Sequence, residues 1–349
     1  MSHETIKSFL AEGKRPVLRI KVPESGSTVV KDLIRGRVEF SNRLLDDFII
    51  VKSDGWPTYN FAVVIDDATM KISHVIRAEE HLSNTPKQLL LYEALGFNIP
   101  EFAHVSMILA PDRSKLSKRH GATSVQEFRD EGYLPEALIN YLALLGWSSG
   151  EDTDFWSLQA LAQSFNLNNV SRSAAIYDLE KLKWMNGHYL SKADPERLLA
   201  WITHNGREQD YLNKFSRTYI LEVVKLLQNR LKTLDEFFNE ASYFFFAPEV
   251  YDEKGVSKYF AADNSNEILI RVLALIEEIN PFNAANLENA LRSEADKMNL
   301  KAAQLIHPTR LALSGKTNTP GLFEVMELLG REACTDRVKR AISYLYHNR

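Results

Sequence analysis

Between residues 74 and 121 the chain changes its periodicity twice and then turns cationic, and few architectures accept that order. Residues 74–76 (H-V-I) and 104–109 (H-V-S-M-I-L) are apolar runs of strand character. The stretch between them has helical spacing, with Pro86 in its first turn and Gly96 as its stop. Strand, helix, strand predicts a right-handed parallel crossover, which offers its ligand site at the C-terminal strand ends. Directly after the second run come residues 111–121, P-D-R-S-K-L-S-K-R-H-G. Lys115 and Lys118, three apart, bring mobile ammonium donors to one place, and Ser114, Ser117 and free backbone N–H groups add neutral donors. That set suits a polyphosphate gaining charge in a transition state. A solvated basic loop is the plainer alternative, because most charged loops are only surface.

Upstream, residues 3–13 read as a short helix ending at Gly13. The pattern then alternates at 17–22, 28–30, 37–40 and 47–52, split at 24–26 and 53–55. Such short runs predict hairpins, so residues 15 to about 70 are expected to start as a small antiparallel sheet. Downstream, Ser124 and Glu127 have capping-box spacing, Pro135 opens a helix and Gly146 closes it. From Ser157 onward the period is helical. Asp194 before Pro195 is an N-cap, Thr233 and Glu236 offer a second capping box, and Ile220, Leu221, Val224, Leu227, Leu231 and Leu234 form an apolar stripe that belongs in a core. Only residues 241–247 look strand-like. The fold class expected is therefore α/β plus all-α.

The chain has 349 residues, 45% of them hydrophobic, enough for two or three domains. No apolar run approaches the ~20 residues of a membrane helix, and residues 1–5 do not start like a signal peptide, so a cytoplasmic protein is expected. A single cysteine, Cys334, excludes an internal disulfide and a cysteine-based zinc site, and is expected to be a buried small hydrophobe. The formal charge is −4, which argues against indiscriminate coating of nucleic acid. Residues 301–349 nevertheless carry eight Lys/Arg against four Asp/Glu, a local basic bias compatible with RNA binding at one place.

K-L-S-K-R at 115–119 closely resembles the second signature of class I aminoacyl-tRNA synthetases, in its glutamyl form. W-P-T-Y-N-F-A-V-V-I-D-D at 56–67, H-V-I-R-A-E-E-H-L-S-N-T-P at 74–86 and G-Y-L-P-E-A-L-I-N-Y-L-A-L-L-G-W at 132–147 resemble the same family in order and spacing. The chain is similar to bacterial glutamyl-tRNA synthetases over nearly its whole length. The helical C-terminal region favours this branch over the glutaminyl enzymes, which end in β-barrels.

The resemblance implies the second half of a nucleotide-binding, Rossmann-like domain with a small β-rich connective insertion, followed by an all-helical anticodon-binding region. The divisions expected are 1–70 for the connective insertion and its return into the catalytic domain, 71–124 for the second catalytic half, 125–190 for a helical stem-contact domain and 191–349 for anticodon binding. It also implies ATP-dependent activation of glutamate and transfer to the 3′ end of tRNA. Lys115 and Lys118 would meet the leaving pyrophosphate without a covalent step, Ser117 and Lys118 would bind ATP, and backbone groups around Ile108 would take adenine. Tyr59 and Arg77 would face the substrate glutamate, and Arg310, with Arg230 second, would read the anticodon. Read from the residues alone, Arg77 could equally bridge to Glu79, Glu80 or Asp66, Tyr59 could be half-buried packing, and the two arginines could be plain surface residues. Asp66 and Asp67 read as a turn cap at a strand end, not a metal pair. Magnesium would travel with ATP, with no dedicated metal site and no zinc.

The partners expected are glutamate, ATP and tRNA(Glu), with tRNA(Gln) left open, and no membrane. The family's H-x-G-H signature is absent, since no two histidines have that spacing. The expectation is of a monomeric chain lacking the N-terminal half of its catalytic domain, inactive alone in activating glutamate and complemented by an N-terminal fragment. The alternative is a non-catalytic tRNA-binding or partner-binding derivative.

Overall fold

The computed structural model describes residues 2–114, 116, 124–205 and 210–347. The chain forms two compact units, residues 1–121 with 139–179 and residues 122–138 with 180–349.

The first unit is built on a four-stranded sheet. A leading helix, α1 (His3–Ala11), is followed by β1 (Leu18–Arg19), β2 (Ser27–Asp32), β3 (Gly36–Ser41), β4 (Ile49–Val51), α2 (Tyr59–Thr69), β5 (His74–Ala78), α3 (Thr85–Leu95), β6 (Glu101–Val105) and β7 (Ile108–Leu109). The sheet order is β3-β2-β6-β5. β5 and β6 run parallel with Arg77 opposite His104, so β5-α3-β6 is the crossover the sequence predicts. Gly96 ends α3 at φ 68°, a left-handed position that suits glycine. Val30, Val64, Leu89, Leu91, Tyr92 and Phe102 are buried together where α2 and α3 cover the sheet.

Three expectations for this unit are corrected. The hairpin β2-β3 is not a sheet of its own, because β2 also pairs parallel with β6, Asp32 opposite Phe102. β1 and β4 form a separate antiparallel pair. Alternation reports which side chains are buried, and it is silent on what the far edge of a hairpin bonds to. The apolar run at 104–109 breaks into β6 and β7, and β7 pairs instead with β8 (Ala175–Ile176). Arg35 causes much of that break: it donates from Nε to His104 O at 3.2 Å and from Nη2 to Ser106 Oγ at 3.1 Å, while Glu79 takes the Met107 N–H at 3.2 Å. Asp66 and Asp67 lie on α2, not at a strand end.

The second unit is helical and has two apolar cores. One gathers Leu190, Leu198, Ile202, Val224, Leu227, Leu231, Leu234 and Phe237. The other gathers Leu269, Val272, Leu287, Leu311, Met326, Cys334 and Val338. The expected stripe from Ile220 to Leu234 is buried except Leu221, which is half-buried, and Cys334 is fully buried. Ser124 and Glu127 form the complete capping box. Asp194 Oδ1 accepts from Glu196 N at 3.1 Å, as an N-cap should. The second box is only half made: Glu236 accepts from the backbone N–H of Lys232 (2.7 Å) and Thr233 (3.4 Å), and the helix Glu236–Glu240 has no side-chain cap. Residues 241–247 are not a strand, since Ser242–Phe245 is a helical turn whose three aromatic residues, Tyr243 to Phe245, point inward.

Gly132 sits at φ 80° and its backbone carbonyl accepts from Leu234 N. A β-carbon there would stand 2.6 Å from Leu234 Cβ and 2.7 Å from Leu234 N. Gly132→Ala is expected to destabilise this unit by about 3 kcal/mol, from steric overlap added to a disfavoured backbone angle. Chemical denaturation of the variant checks this, and an unchanged midpoint would refute it.

Candidate active site

The parallel ladder places Arg77 of β5 directly opposite His104 of β6, so both side chains rise from the same face of the sheet. Arg77 Nε donates to His104 Nε2 at 3.1 Å. Its Nη2 donates to Gln88 Oε1 at 2.7 Å, to Thr85 Oγ1 at 2.9 Å and, more weakly, to His81 O at 3.4 Å. Gln88 presents its oxygen to Arg77 because its Nε2 is already committed to Asn60 Oδ1 at 3.0 Å. The guanidinium also lies 5.6 Å over the Phe102 ring.

None of these partners is a carboxylate. The alternative of an ion pair with Glu79, Glu80 or Asp66 is not realised among the described residues: Glu79 pairs with Arg35, and Glu80 faces His81. Burial pulls the Arg77 guanidinium below its ordinary value, opposed by Tyr59, Asp67 and Tyr92, and an arginine stays charged through such a shift. A half-buried cation whose hydrogen bonds among the described residues go to neutral acceptors, with the Asp67 carboxylate acting on it at longer range, attracts an anion. Tyr59 begins α2, is 54% exposed, and stands 6.1 Å ring to ring from His81. Its hydroxyl interacts with the Arg77 guanidinium. Deeper in, Asp67 accepts from the Tyr92 hydroxyl at 3.5 Å, and burial beside Asp67 pushes that phenol up to about 12.

Beneath Arg77 lies a pair that inspection of the sequence missed. Asp32, 5% exposed, receives four donors: Ile34 N (2.9 Å) and Arg35 N (2.7 Å) on Oδ1, His104 N (3.0 Å) and His104 Nδ1 (2.6 Å) on Oδ2. Burial favours the neutral acid, but the donors from Arg35, the His104 ring, Ile34 and the His104 backbone together hold its carboxyl below the usual range. His104 is fully buried, and burial holds its ring below the ordinary histidine value against the pull of Asp32. Seventy-two residues separate the two, and a lone aspartate closing a hairpin strand carries no signal of its partner.

Ile108, on β7, is partly exposed. The chain then turns through 110–114, where Ala110 N donates to Ser114 O at 2.9 Å and Asp112 Oδ1 accepts from both the N–H and hydroxyl of Ser114. Arg113 occupies a left-handed conformation at φ 62°. Lys115, Ser117 and Lys118 lie outside the described residues.

In the helical unit, Arg310 and Arg230 reach adjacent residues of one loop. Arg310 Nη1 donates to Thr319 O, Thr319 Oγ1 and Pro320 O, and Arg230 Nη2 donates to Asn318 Oδ1 at 2.7 Å. Burial and the neighbouring Arg230 depress the Arg310 guanidinium, against Tyr243 and Tyr259. Close by, the His307 ring stacks on Tyr259 at 4.9 Å and 15°. The two arginines thus brace one loop, with a stacked aromatic pair beside them.

Comparison with known proteins places the chain in a family. Residues 1–184 match the family of class I tRNA synthetases (E and Q), catalytic domain, and residues 196–342 match an anticodon binding domain family. Glutamate–tRNA ligase 1 of Syntrophomonas wolfei is 57% identical over 342 residues, 98% of this chain and 69% of that protein. Glutamate–tRNA ligase 2 of Thermoanaerobacter pseudethanolicus is 50% identical over 99% of this chain and 72% of its own length. A crystal structure of a glutamate tRNA ligase from Elizabethkingia meningosepticum in complex with its amino acid superposes with a TM-score of 0.88, at 34% identity, covering 99% of this chain and 72% of that one.

The depressed His104 ring makes stability pH-dependent. The unfolded imidazole takes a proton below about pH 6.5 while the folded one resists it, so stability is present above that value and lost as pH falls through the folded value. Asp32 adds a loss of the same sign below about pH 4. Thermal melts are expected to show a falling midpoint from pH 7 to pH 5. His188 and His307 are also depressed by burial, so His104→Gln should flatten the slope in part. An unaltered slope in the variant would show that His104 does not carry it.

Proposed function

Since the chain belongs to the glutamate–tRNA ligase family of class I tRNA synthetases, we propose that its residues contribute to the site at which glutamate is activated with ATP and to the binding of tRNA(Glu) as acceptor. The observation that carries this reading is Arg77, a charged side chain seated by neutral acceptors beside the exposed Tyr59, with no carboxylate against it among the described residues. A substrate carboxylate supplies the missing charge, gripped by the guanidinium and adjoined by the Tyr59 hydroxyl.

In this reading Arg77 and Tyr59 orient glutamate so that a carboxylate oxygen attacks the α-phosphorus of ATP and pyrophosphate departs. Backbone groups at Ile108 take the adenine, Ser117 and Lys118 hold the phosphates, and Lys115 and Lys118 offset the charge that builds on the leaving group. Magnesium arrives with ATP and supplies further charge neutralisation there. In the same reading residues 1–70 form the connective insertion that meets the acceptor end and its return into the catalytic domain, 71–124 serve activation, 125–190 contact the tRNA stem, and 191–349 read the anticodon through Arg310 and Arg230. The basic bias of residues 301–349 supports placing RNA on that last region.

Glutamate-dependent ATP–pyrophosphate exchange tests the first half of the reading. Arg77→Gln is expected to lower kcat/KM for glutamate about 100-fold, the scale of a charge-assisted contact, with the KM for ATP little changed. Lys118→Ala is expected to lower kcat by a similar factor. Wild-type exchange in both variants would refute these roles. For the second half, Arg310→Ala should weaken binding of a tRNA(Glu) anticodon stem-loop about tenfold, and binding at full strength would remove Arg310 from the interface.

A further inference from the structure

We infer that Asp32 and His104 form a positioning pair for Arg77, in which the buried carboxylate selects the imidazole tautomer and the tautomer sets the plane of the guanidinium. The inference rests on the reading of Arg77 as the grip on the substrate carboxylate and adds residues that reading does not contain.

The tautomer follows from what each partner can do. The Asp32 carboxylate is ionised and can only accept, so the 2.6 Å contact to His104 Nδ1 requires the ring proton on Nδ1. Arg77 Nε can only donate, so the 3.1 Å contact to His104 Nε2 requires a bare lone pair there. Both conditions hold for one form of the neutral ring. The other neutral tautomer, or a protonated ring, would set an N–H against the Arg77 N–H. Thr85 Oγ1, 3.2 Å from the same Nε2, accepts from Arg77 Nη2 and also lies 3.2 Å from His81 O, so its hydroxyl adjusts to either neighbour.

The result is a guanidinium fixed along one edge. Nε is held by His104, and Nη2 by Gln88 and Thr85, so two of the three guanidinium nitrogens are fixed before a carboxylate arrives. The ring cannot rotate away: it is fully buried, stacked on Phe102 at 6.2 Å and 7°, and tied through its backbone N–H to the same carboxylate. Holding a charged fork in one orientation before substrate arrives removes an ordering cost from binding.

Two substitutions separate positioning from simple support of the core. His104→Asn keeps a donor near Asp32 but leaves nothing against Arg77 Nε. His104→Gln can place its carbonyl oxygen where Nε2 stood while releasing Asp32. If the pair acts through Arg77, His104→Asn raises the KM for glutamate about tenfold in pyrophosphate exchange, with the KM for ATP within about twofold, and His104→Gln recovers most of that loss. In an Arg77→Lys background the difference between Asn and Gln should vanish, because the partner that senses it is gone. Thermal melts run alongside identify any loss that is merely of folded protein, and 15N chemical shifts of the His104 ring in the unaltered chain report the tautomer without any substitution.

Equal glutamate KM values for the Asn and Gln variants, a loss falling on ATP and glutamate alike, persistence of the difference in the Arg77→Lys background, or an Nε2-protonated neutral ring would each overturn the inference. A separate outcome, Arg77→Lys alone leaving the glutamate KM unchanged, would instead remove Arg77 from the substrate site, and the positioning role with it.

Discussion

The Asp32 carboxylate is the contact on which the first unit turns. It ends β2, and its four accepted hydrogen bonds close the hairpin turn through Ile34 and Arg35 while fastening β6 through His104. A buried carboxylate without such donors would strongly destabilise the fold, so the four donors and the charge depend on one another. Because β2 pairs with β6 at this point, the hairpin becomes part of the crossover sheet. The same contact therefore fixes sheet topology and the floor of the Arg77 site.

Arg35, adjoining that turn, carries the order outward. Its guanidinium reaches His104 O, Ser106 Oγ, Arg172 O and the Glu79 carboxylate, and Arg172 returns a bond to Ile34 O at 2.7 Å. Beside this network, with His104 O bonded to Arg35 and Met107 N to Glu79, the chain leaves the sheet at residues 106–107 and re-forms as β7 against β8. The segment bearing the lysines thus departs from β7. A charged network at a strand end does here what a bulge or proline does elsewhere: it stops pairing at a chosen residue.

Much of the architecture is readable from local chemistry. The crossover, the Gly96 stop, the Ser124 and Glu127 capping box and the apolar stripe through Val224 and Leu227 each depend on neighbours within a few residues, where spacing alone decides the outcome. Thr233 shows the limit of that logic: Glu236 does reach back, yet the threonine makes no cap, because the helix begins at Glu236 and Asp235, not Thr233, stands at its N-cap position. The aromatic run at 243–245 misleads for a related reason. Bulky residues favour strands on average, but burial in a helical core overrides that preference.

What the sequence by itself determined is the set of chemical parts: a lysine pair after an apolar run, an arginine at a strand end, a tyrosine opening the 59–67 segment, and arginines in a basic C-terminal region. Those parts are recognisable because their spacing is short and their residue types are uncommon together. Only the tertiary structure decided that the hydrogen-bond partners of Arg77 among the described residues are neutral, that Asp32 reaches His104 across seventy-two residues, and that Arg230 and Arg310 hold adjacent residues of one loop. The physical reason is range. Helical and turn preferences act between near neighbours, whereas the fate of a buried charge depends on which distant donors the fold delivers to it, and no local pattern encodes that delivery.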